Sequence, residues 1–471
     1  MSDNVHGQEC RGLPSPLIKA FTQVLGQSNV VLGGDISERH NADWSLAPPV
    51  APSVLLRPDS TEKLSQIVSL CNSYRQPIVV QGGMTGLAGG ATPQRREVAI
   101  SLELMSGVQD IDPVAMTLSA LAGTPLQALQ QAALQHSLVL PLDLAARGSC
   151  SIGGNLATNA GGTEVIRYGM TRSLVLGLEV VLADGTIVNS MNKMVKNNSG
   201  YDVKQLFIGS EGTLGIISRV VLQLQPQFLA THTALCALSD YDSVIEVLNA
   251  LKRRLGGGLT GFEVMWANYY RRALEALPSV ADPFRQQHPF YLLVEYKDNR
   301  AKESAEWFES ELYHQIESGF LLDALVAKSQ QDARIFWRIR DGISELLNLK
   351  GAVSNQDISL PINLIGDFSK ALLKNLGENY EGIDVLFFGH IADNNLHAVV
   401  YANRVDDGEA IERDIMELIG EFGGAITAEH GVGVLKKDYL KLSRNDSEIA
   451  LMRTLKQALD PVNILNRGRV I

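Results

Sequence analysis

Glycine is bunched in this chain, chiefly into three loops before residue 216, and that clustering limits the folds open to it. There are 42 glycines among 471 residues, about 9% where ~7% is usual. The first bunch, Gln81-Gly82-Gly83-Met84-Thr85-Gly86-Leu87-Ala88-Gly89-Gly90, follows the apolar run Ile78-Val79-Val80, which reads as a buried strand. Glycines let backbone N–H groups approach an anion closely and adopt conformations closed to other residues. A pyrophosphate is the natural guest; the alternative is a flexible surface loop. The second bunch runs from Gly148 and Ser149 through Gly153-Gly154-Asn155-Leu156-Ala157-Thr158-Asn159-Ala160-Gly161-Gly162. The third is Ile208-Gly209-Ser210-Glu211-Gly212-Thr213-Leu214-Gly215-Ile216. Neither matches G-x-G-x-x-G opening a βαβ helix, or G-x-x-x-x-G-K-[ST]. A large dinucleotide would therefore be held by something other than a Rossmann fold.

Composition narrows the classes further. The length suggests two to three domains at roughly 150 residues each. A 45% hydrophobic and 20% charged make-up is that of a globular chain. Lys and Arg number 41 against 52 Asp and Glu, a net charge of −11, which argues against a nucleic-acid or anionic-membrane partner. Cys10, Cys71, Cys150 and Cys236 contain no C-x-x-C pair, so a reduced, cytoplasmic chain is the expectation. The start, MSDNVHGQECRGLPSP, has no secretory pattern, and no apolar run is long enough for a transmembrane helix.

Strands and helices alternate to about residue 225. Asp59 is the expected cap of a helix carrying Leu64, Ile67, Val68 and Cys71 on one face. Thr124-Pro125 is the expected start of another, and Asp184-Gly185 the tight turn of a hairpin. After Pro226 glycine thins and aromatic and charged residues rise. The expected domains are 1–226, 227–425 and a C-terminal segment 426–471.

Of nine histidines, His6, His40, His136, His232, His288 and His314 are isolated and read as surface or packing residues. His390 and His397 lie seven apart across an Asp-Asn-Asn turn, and Glu429-His430 precedes a glycine turn. Two imidazoles and a carboxylate could form a three-ligand divalent site; satisfied core histidines are the alternative. Arg340 and Ser344, four apart on a predicted helix capped by Ser329, would share a face. The arginine could clamp a carboxylate or form a surface ion pair.

The order of the glycine bunches, Pro141-Leu142-Asp143-Leu144, and the run from Gly200-Tyr201-Asp202 to Gly215 resemble the FAD-binding domain of the vanillyl-alcohol oxidase and p-cresol methylhydroxylase superfamily. Within it they are similar to the D-2-hydroxyglutarate dehydrogenase branch. The resemblance extends over nearly all of the chain from about residue 45, more weakly between 230 and 325. It implies an α+β protein: a PCMH-type FAD-binding domain of two α+β subdomains, then an α+β substrate (cap) domain with an antiparallel sheet and a helical C-terminal segment returning to the flavin. It implies FAD held by Gln81, Gly82, Gly83, Met84, Thr85, Gly86, Leu87, Gly148, Ser149, Gly153, Gly154, Asn155, Thr158, Asn159, Gly161, Gly162, Glu211, Gly212, Gly215, Ile216 and Asn466. Met84 stands where some relatives bear a flavin-linked histidine, so the FAD is expected to be non-covalent.

The resemblance also implies a metal, usually described as zinc, on His390, His397 and Glu429, with His430 as catalytic base. Arg340, Ser344, Asn355 and Val399 fall at its substrate positions. Three depart from the family pattern: Ser344 mildly, where threonine is usual, and more sharply Asn355 where lysine is usual and Val399 where asparagine is. The implied reaction is oxidation of a D-2-hydroxy acid (D-2-hydroxyglutarate, D-lactate, D-malate or a related acid) to the 2-oxo acid by a flavoprotein oxidoreductase. Electrons would pass to an external flavoprotein, quinone or cytochrome, and a homodimer is compatible with the sequence. A same-fold alcohol oxidase using oxygen, or a non-catalytic FAD-binding subunit, are the alternatives.

Overall fold

The computed structural model describes residues 13–347 and 351–471; His6, Cys10 and most of the N-terminal stretch read above lie outside the described residues. The chain forms two compact units. One comprises the described residues up to Gly162 together with Met170–Gln227 and Glu429–Ile471; the other comprises Thr163–Gly169 and Phe228–Ala428.

The first unit contains two main sheets. A four-stranded sheet runs in the order Val30–Leu32, Val54–Leu56, Val98–Ser101, Ile78–Gln81. Its last three strands pair in parallel, and the strand Ile78–Gln81 delivers the chain into the first glycine loop. The helix Thr61–Ser73 packs against the helix Ser15–Leu25 and the strand Val175–Val181, with Leu64, Ile67, Val68 and Cys71 all fully buried. Its cap is Ser60, whose hydroxyl accepts from the Lys63 N–H, and not Asp59, which pairs with Lys63 at the surface. A five-stranded antiparallel sheet follows, ordered Val108–Asp112, Thr117–Leu121, Ile216–Gln223, Val175–Val181, Ile187–Ser190. Its last two strands form the expected hairpin, and Gly185 takes φ +92° in the turn. Thr124 does not cap the helix Leu126–Leu134; its hydroxyl donates to the Leu121 carbonyl and accepts from the Gly107 N–H.

The C-terminal tail is tied into this unit. Asn466 donates its backbone N–H to the Ile78 carbonyl and accepts the Val80 N–H on its side chain. Arg469 and Glu97 form a fully buried ion pair with contacts of 2.9 Å. Removing one partner of such a pair costs about 3–5 kcal/mol, because the other charge is left buried.

The second unit is built on a seven-stranded antiparallel sheet ordered Asp323–Val326, Ala230–Leu238, Phe290–Asp298, Leu259–Trp266, Asp384–Gly389, Asn395–Tyr401, Ala352–Ser359. One face packs against the helices Ala267–Ala276 and Gln330–Arg340 through a core that includes Tyr269, Met265, Phe336, Leu386, Phe388 and Val399. Ser329 caps the helix Gln330–Arg340, as read from the sequence. That helix stops at Arg340, however, and a separate short helix runs Ile343–Leu347. Arg340 is buried and Ser344 exposed, so the two do not share a face of one helix. The break falls at Asp341-Gly342, where an added Cβ on Gly342 would meet the Ala273 side chain at 3.1 Å.

Among the described residues no helix is long and apolar enough to cross a membrane.

Candidate active site

The glycine loops of the first unit wall a cavity of about 320 Å³, within the ~300–1,000 Å³ of small-molecule sites. The first loop contributes a continuous strip from Gly82 to Ala88. A side chain could not replace Gly83, where a Cβ would sit 2.0 Å from the Ser149 carbonyl oxygen, and one on Gly82 would press on the Ser151 hydroxyl at 2.3 Å. Met84 takes φ +59°, a left-handed conformation uncommon for a non-glycine residue. From the second loop come Gly153, Gly154, Asn155, Thr158 and Gly161, and from the third Glu211, Gly212, Gly215 and Ile216; Asn466 completes the wall. This long surface of backbone and small side chains suits an extended dinucleotide.

Five sequence-predicted contacts lie outside the lining: Gln81, Gly148, Ser149, Asn159 and Gly162. Gln81 is fully buried, and its amide is used up by neighbours. It donates to the His40 and Ala91 carbonyls and accepts from His40 Nδ1 at 2.8 Å. Burial lowers the His40 pKa, and Arg39 Nε donates to its Nε2; both fit a neutral ring. Asn159 takes the left-handed conformation ending the helix Ile152–Thr158 and accepts the Arg172 N–H. Sequence reasoning missed Leu144-Ala145-Ala146 and Cys150, which also line the cavity.

Glu429 and His430 line the same cavity. Glu429 Oε2 lies 2.7 Å from where a Cβ on Gly161 would sit, so that glycine makes room for the carboxylate. The turn after His430 is held by Glu211, whose carboxylate accepts the Val432 N–H at 2.6 Å and the Gly433 N–H at 2.8 Å. Its own carbonyl accepts from Asn466 Nδ2. Burial raises the Glu211 pKa against the pull of those two N–H groups.

In the second unit, strand pairing brings His390 and His397 together. Phe388 lies opposite His397, and the two imidazoles stand 5.5 Å apart, centroid to centroid, at 76°. Each has a carboxylate behind it. His390 Nδ1 meets Glu263 Oε1 at 2.5 Å, and Asp357 lies opposite His397 with an oxygen 3.9 Å from Nδ1. Arg340 Nε donates to Glu263 Oε2 at 2.8 Å, and its Nη2 lies 3.0 Å from His390 Nε2. A guanidinium can only donate, so His390 Nε2 bears a lone pair and Nδ1 holds the hydrogen facing Glu263. That is the tautomer a metal ligand needs, with the outer carboxylate that metal-bound histidines ordinarily have; in this structure the Nε2 lone pair accepts from Arg340, which a metal would displace. Burial alone would raise the Glu263 pKa, but the Arg340 guanidinium and the His390 N–H outweigh it and hold the carboxyl below its ordinary value. Glu263 was not singled out in the sequence; its signal there is a lone acid in the apolar strand Leu259–Trp266. Arg340 is thus a buried member of this cluster, whereas Ser344 is exposed.

Asn355 and Val399 lie directly opposite each other on adjacent strands. By strand alternation they share a face with Asp357 and His397. Val399 is fully buried in the apolar core, and Asn355 is half-buried.

Residues 52–190 match the family described as FAD binding domain, and residues 229–470 match FAD linked oxidases, C-terminal domain. The chain is 38% identical to D-2-hydroxyglutarate dehydrogenase, mitochondrial, of Arabidopsis thaliana, over 98% of this chain and 82% of that protein. It is also 38% identical to D-2-hydroxyglutarate dehydrogenase of Xanthomonas citri pv. viticola, over 92% of each. The solved structure of p-cresol methylhydroxylase aligns over 98% of both chains with a TM-score of 0.77 at 16% identity, and that of alkyldihydroxyacetonephosphate synthase over 97% of this chain and 86% of that one, at 0.72 and 17%. These two show the fold, the PCMH-type α+β architecture expected above. By its sequence this chain belongs to the D-2-hydroxyglutarate dehydrogenase family of FAD-linked oxidoreductases and is an FAD-dependent dehydrogenase.

Proposed function

We propose that the protein oxidises a D-2-hydroxy acid to its 2-oxo acid, with His430 as general base and a divalent metal, zinc by the family resemblance, on His390, His397 and Glu429. The observation that carries this reading is His430 on the wall of the glycine-lined cavity, beside Glu429. A base there can take the hydroxyl proton of a substrate that meets the flavin. FAD when bound supplies the acceptor for the hydride leaving C2. A metal when bound supplies positive charge that lowers the pKa of the hydroxyl. In the second unit, Glu263 fixes the His390 tautomer. Arg340, whose Nε is held by Glu263 and whose Nη2 faces His390, supplies a fixed positive charge toward which a substrate carboxylate would be drawn.

The FAD is non-covalent in this reading, because a methionine thioether at position 84 has no ordinary route to a flavin bond. Substrate identity turns on Asn355 and Val399. Relatives are named D-2-hydroxyglutarate dehydrogenase, which supports that acid. Without the lysine and asparagine usual at these positions, a second carboxylate has fewer partners, which leaves D-lactate and D-malate as competing substrates. Ser344 is the least supported substrate contact, being exposed. The electron acceptor is external, a flavoprotein, quinone or cytochrome. The cytoplasmic reading rests on the cysteine usage; relatives from plants and animals are named mitochondrial, and cell fractionation tests it.

The experiment pairs metal analysis with anaerobic flavin reduction. Chelation should remove about one metal per chain and stop reduction by substrate, and re-addition should restore it. His430→Ala should keep metal and flavin yet reduce the flavin very slowly. Full-speed reduction in either sample would refute the assignment.

A further inference from the structure

The second unit holds a cavity of about 470 Å³ whose lining includes none of the residues proposed above for catalysis. Four cations line it, Arg167, Arg254, Lys297 and Arg300, against a single acid, Asp298. Three of the cations have carboxylate partners. Arg254 makes a two-pronged pair with Glu311 at 3.0 and 2.9 Å. Lys297 is shared between Glu164 and Glu295, and Arg300 pairs with Asp298. Glu311, Glu164 and Glu295 lie outside the lining, so the wall itself is strongly cationic.

Arg167 differs from the other three. It makes no ion pair with any described residue, and its Nε is buried without a hydrogen-bond partner. Its guanidinium is fixed by stacking, 4.6 Å from the Phe228 ring centroid and 5.0 Å from that of Tyr168. Arg254 is fixed in the same way over Trp307 at 4.9 Å. Two arginines immobilised on aromatic faces have little rotamer freedom left to lose on binding. The floor is kept open by glycine: a Cβ on Gly258 would sit 2.2 Å from the Tyr296 ring. Fixed guanidinium groups, one without a counter-charge, around a cavity of ligand size are the requirements of an oxyanion site.

From this we infer that the cavity binds a small multivalent oxyanion, a phosphate-bearing or dicarboxylate metabolite, with Arg167 as its principal contact and Arg300 as a second. The test is calorimetric titration of the flavin-loaded protein with inorganic phosphate and, separately, succinate, at matched ionic strength. Saturable binding of at least one is expected, and whichever binds more tightly identifies the source of the oxyanion. Arg167→Gln should weaken it at least tenfold, while Arg340→Gln, which alters the catalytic cluster, leaves it unchanged. Absence of saturable binding to either anion, wild-type affinity in Arg167→Gln, or loss in Arg340→Gln would overturn the inference. If Arg167→Gln does not fold, Arg300→Gln decides, since the Arg300 side chain is 65% exposed: weaker binding supports the site, and unchanged binding removes it.

Discussion

Glu211 accepts the backbone N–H of Gly433 at 2.8 Å, and through that bond and its twin to Val432 it holds the turn that follows His430. Glu211 adopts φ +50°, so the backbone of the third glycine loop is itself constrained where it meets the turn. Glu211→Gln keeps the shape but can accept only one of the two N–H groups. The expected loss is about 1.5–3 kcal/mol of stability, the scale of a hydrogen bond to a charged group. Flavin reduction should slow while flavin content stays near wild type. Urea unfolding and stopped-flow absorbance measure the two effects.

The first glycine loop should tolerate no side chain at position 83. A Cβ there meets the backbone of Ser149 and Cys150 at 2.0 and 2.8 Å, and backbone cannot rotate away. Gly83→Ala should purify colourless or with a small fraction of the wild-type flavin, read from the absorbance ratio. Acid precipitation of the wild type should release its flavin to the supernatant.

His40 gives stability a pH dependence. Its folded pKa is lowered, chiefly by burial, from an ordinary value of 6.5. The unfolded chain therefore binds the proton more readily, and stability falls as pH drops below about 6.5 toward the folded value. Denaturant midpoints from pH 7.5 to 5 should decline for the wild type, with a shallower slope in His40→Gln.

Asn355 and Val399 should act as a pair, because they are cross-strand neighbours. Val399→Asn alone places an amide in an apolar core and should cost about 1–3 kcal/mol. Combined with Asn355→Lys, it should raise the kcat/KM preference for D-2-hydroxyglutarate over D-lactate about tenfold, the size of one charge-assisted contact.

Much of the glycine-lined cavity was legible in the sequence because glycine is irreplaceable where backbones approach as closely as at Gly83, and so marks its position in the chain. Gln81 could not be excluded from the site in that way. Its partner His40 lies 41 positions away, and only the folded chain shows the amide already spent. Glu263 is 127 positions from His390; sheet pairing brings them together, and no local pattern encodes it. The Arg340 and Ser344 spacing misled for a local reason, since it presumed a continuous helix through Asp341-Gly342. The proposed ligands His390 and His397 had a seven-residue spacing to suggest them, and strand pairing accounts for how the two meet.

The most direct test of the central claim is anaerobic mixing of the metal-loaded protein with D- and L-2-hydroxy acids while the yellow flavin band is followed. Bleaching by D-2-hydroxyglutarate, D-lactate or D-malate, with the L-enantiomers inert and His430→Ala strongly slowed, is the predicted result. A band that persists with every D-acid, or that bleaches equally fast without His430, would contradict the account.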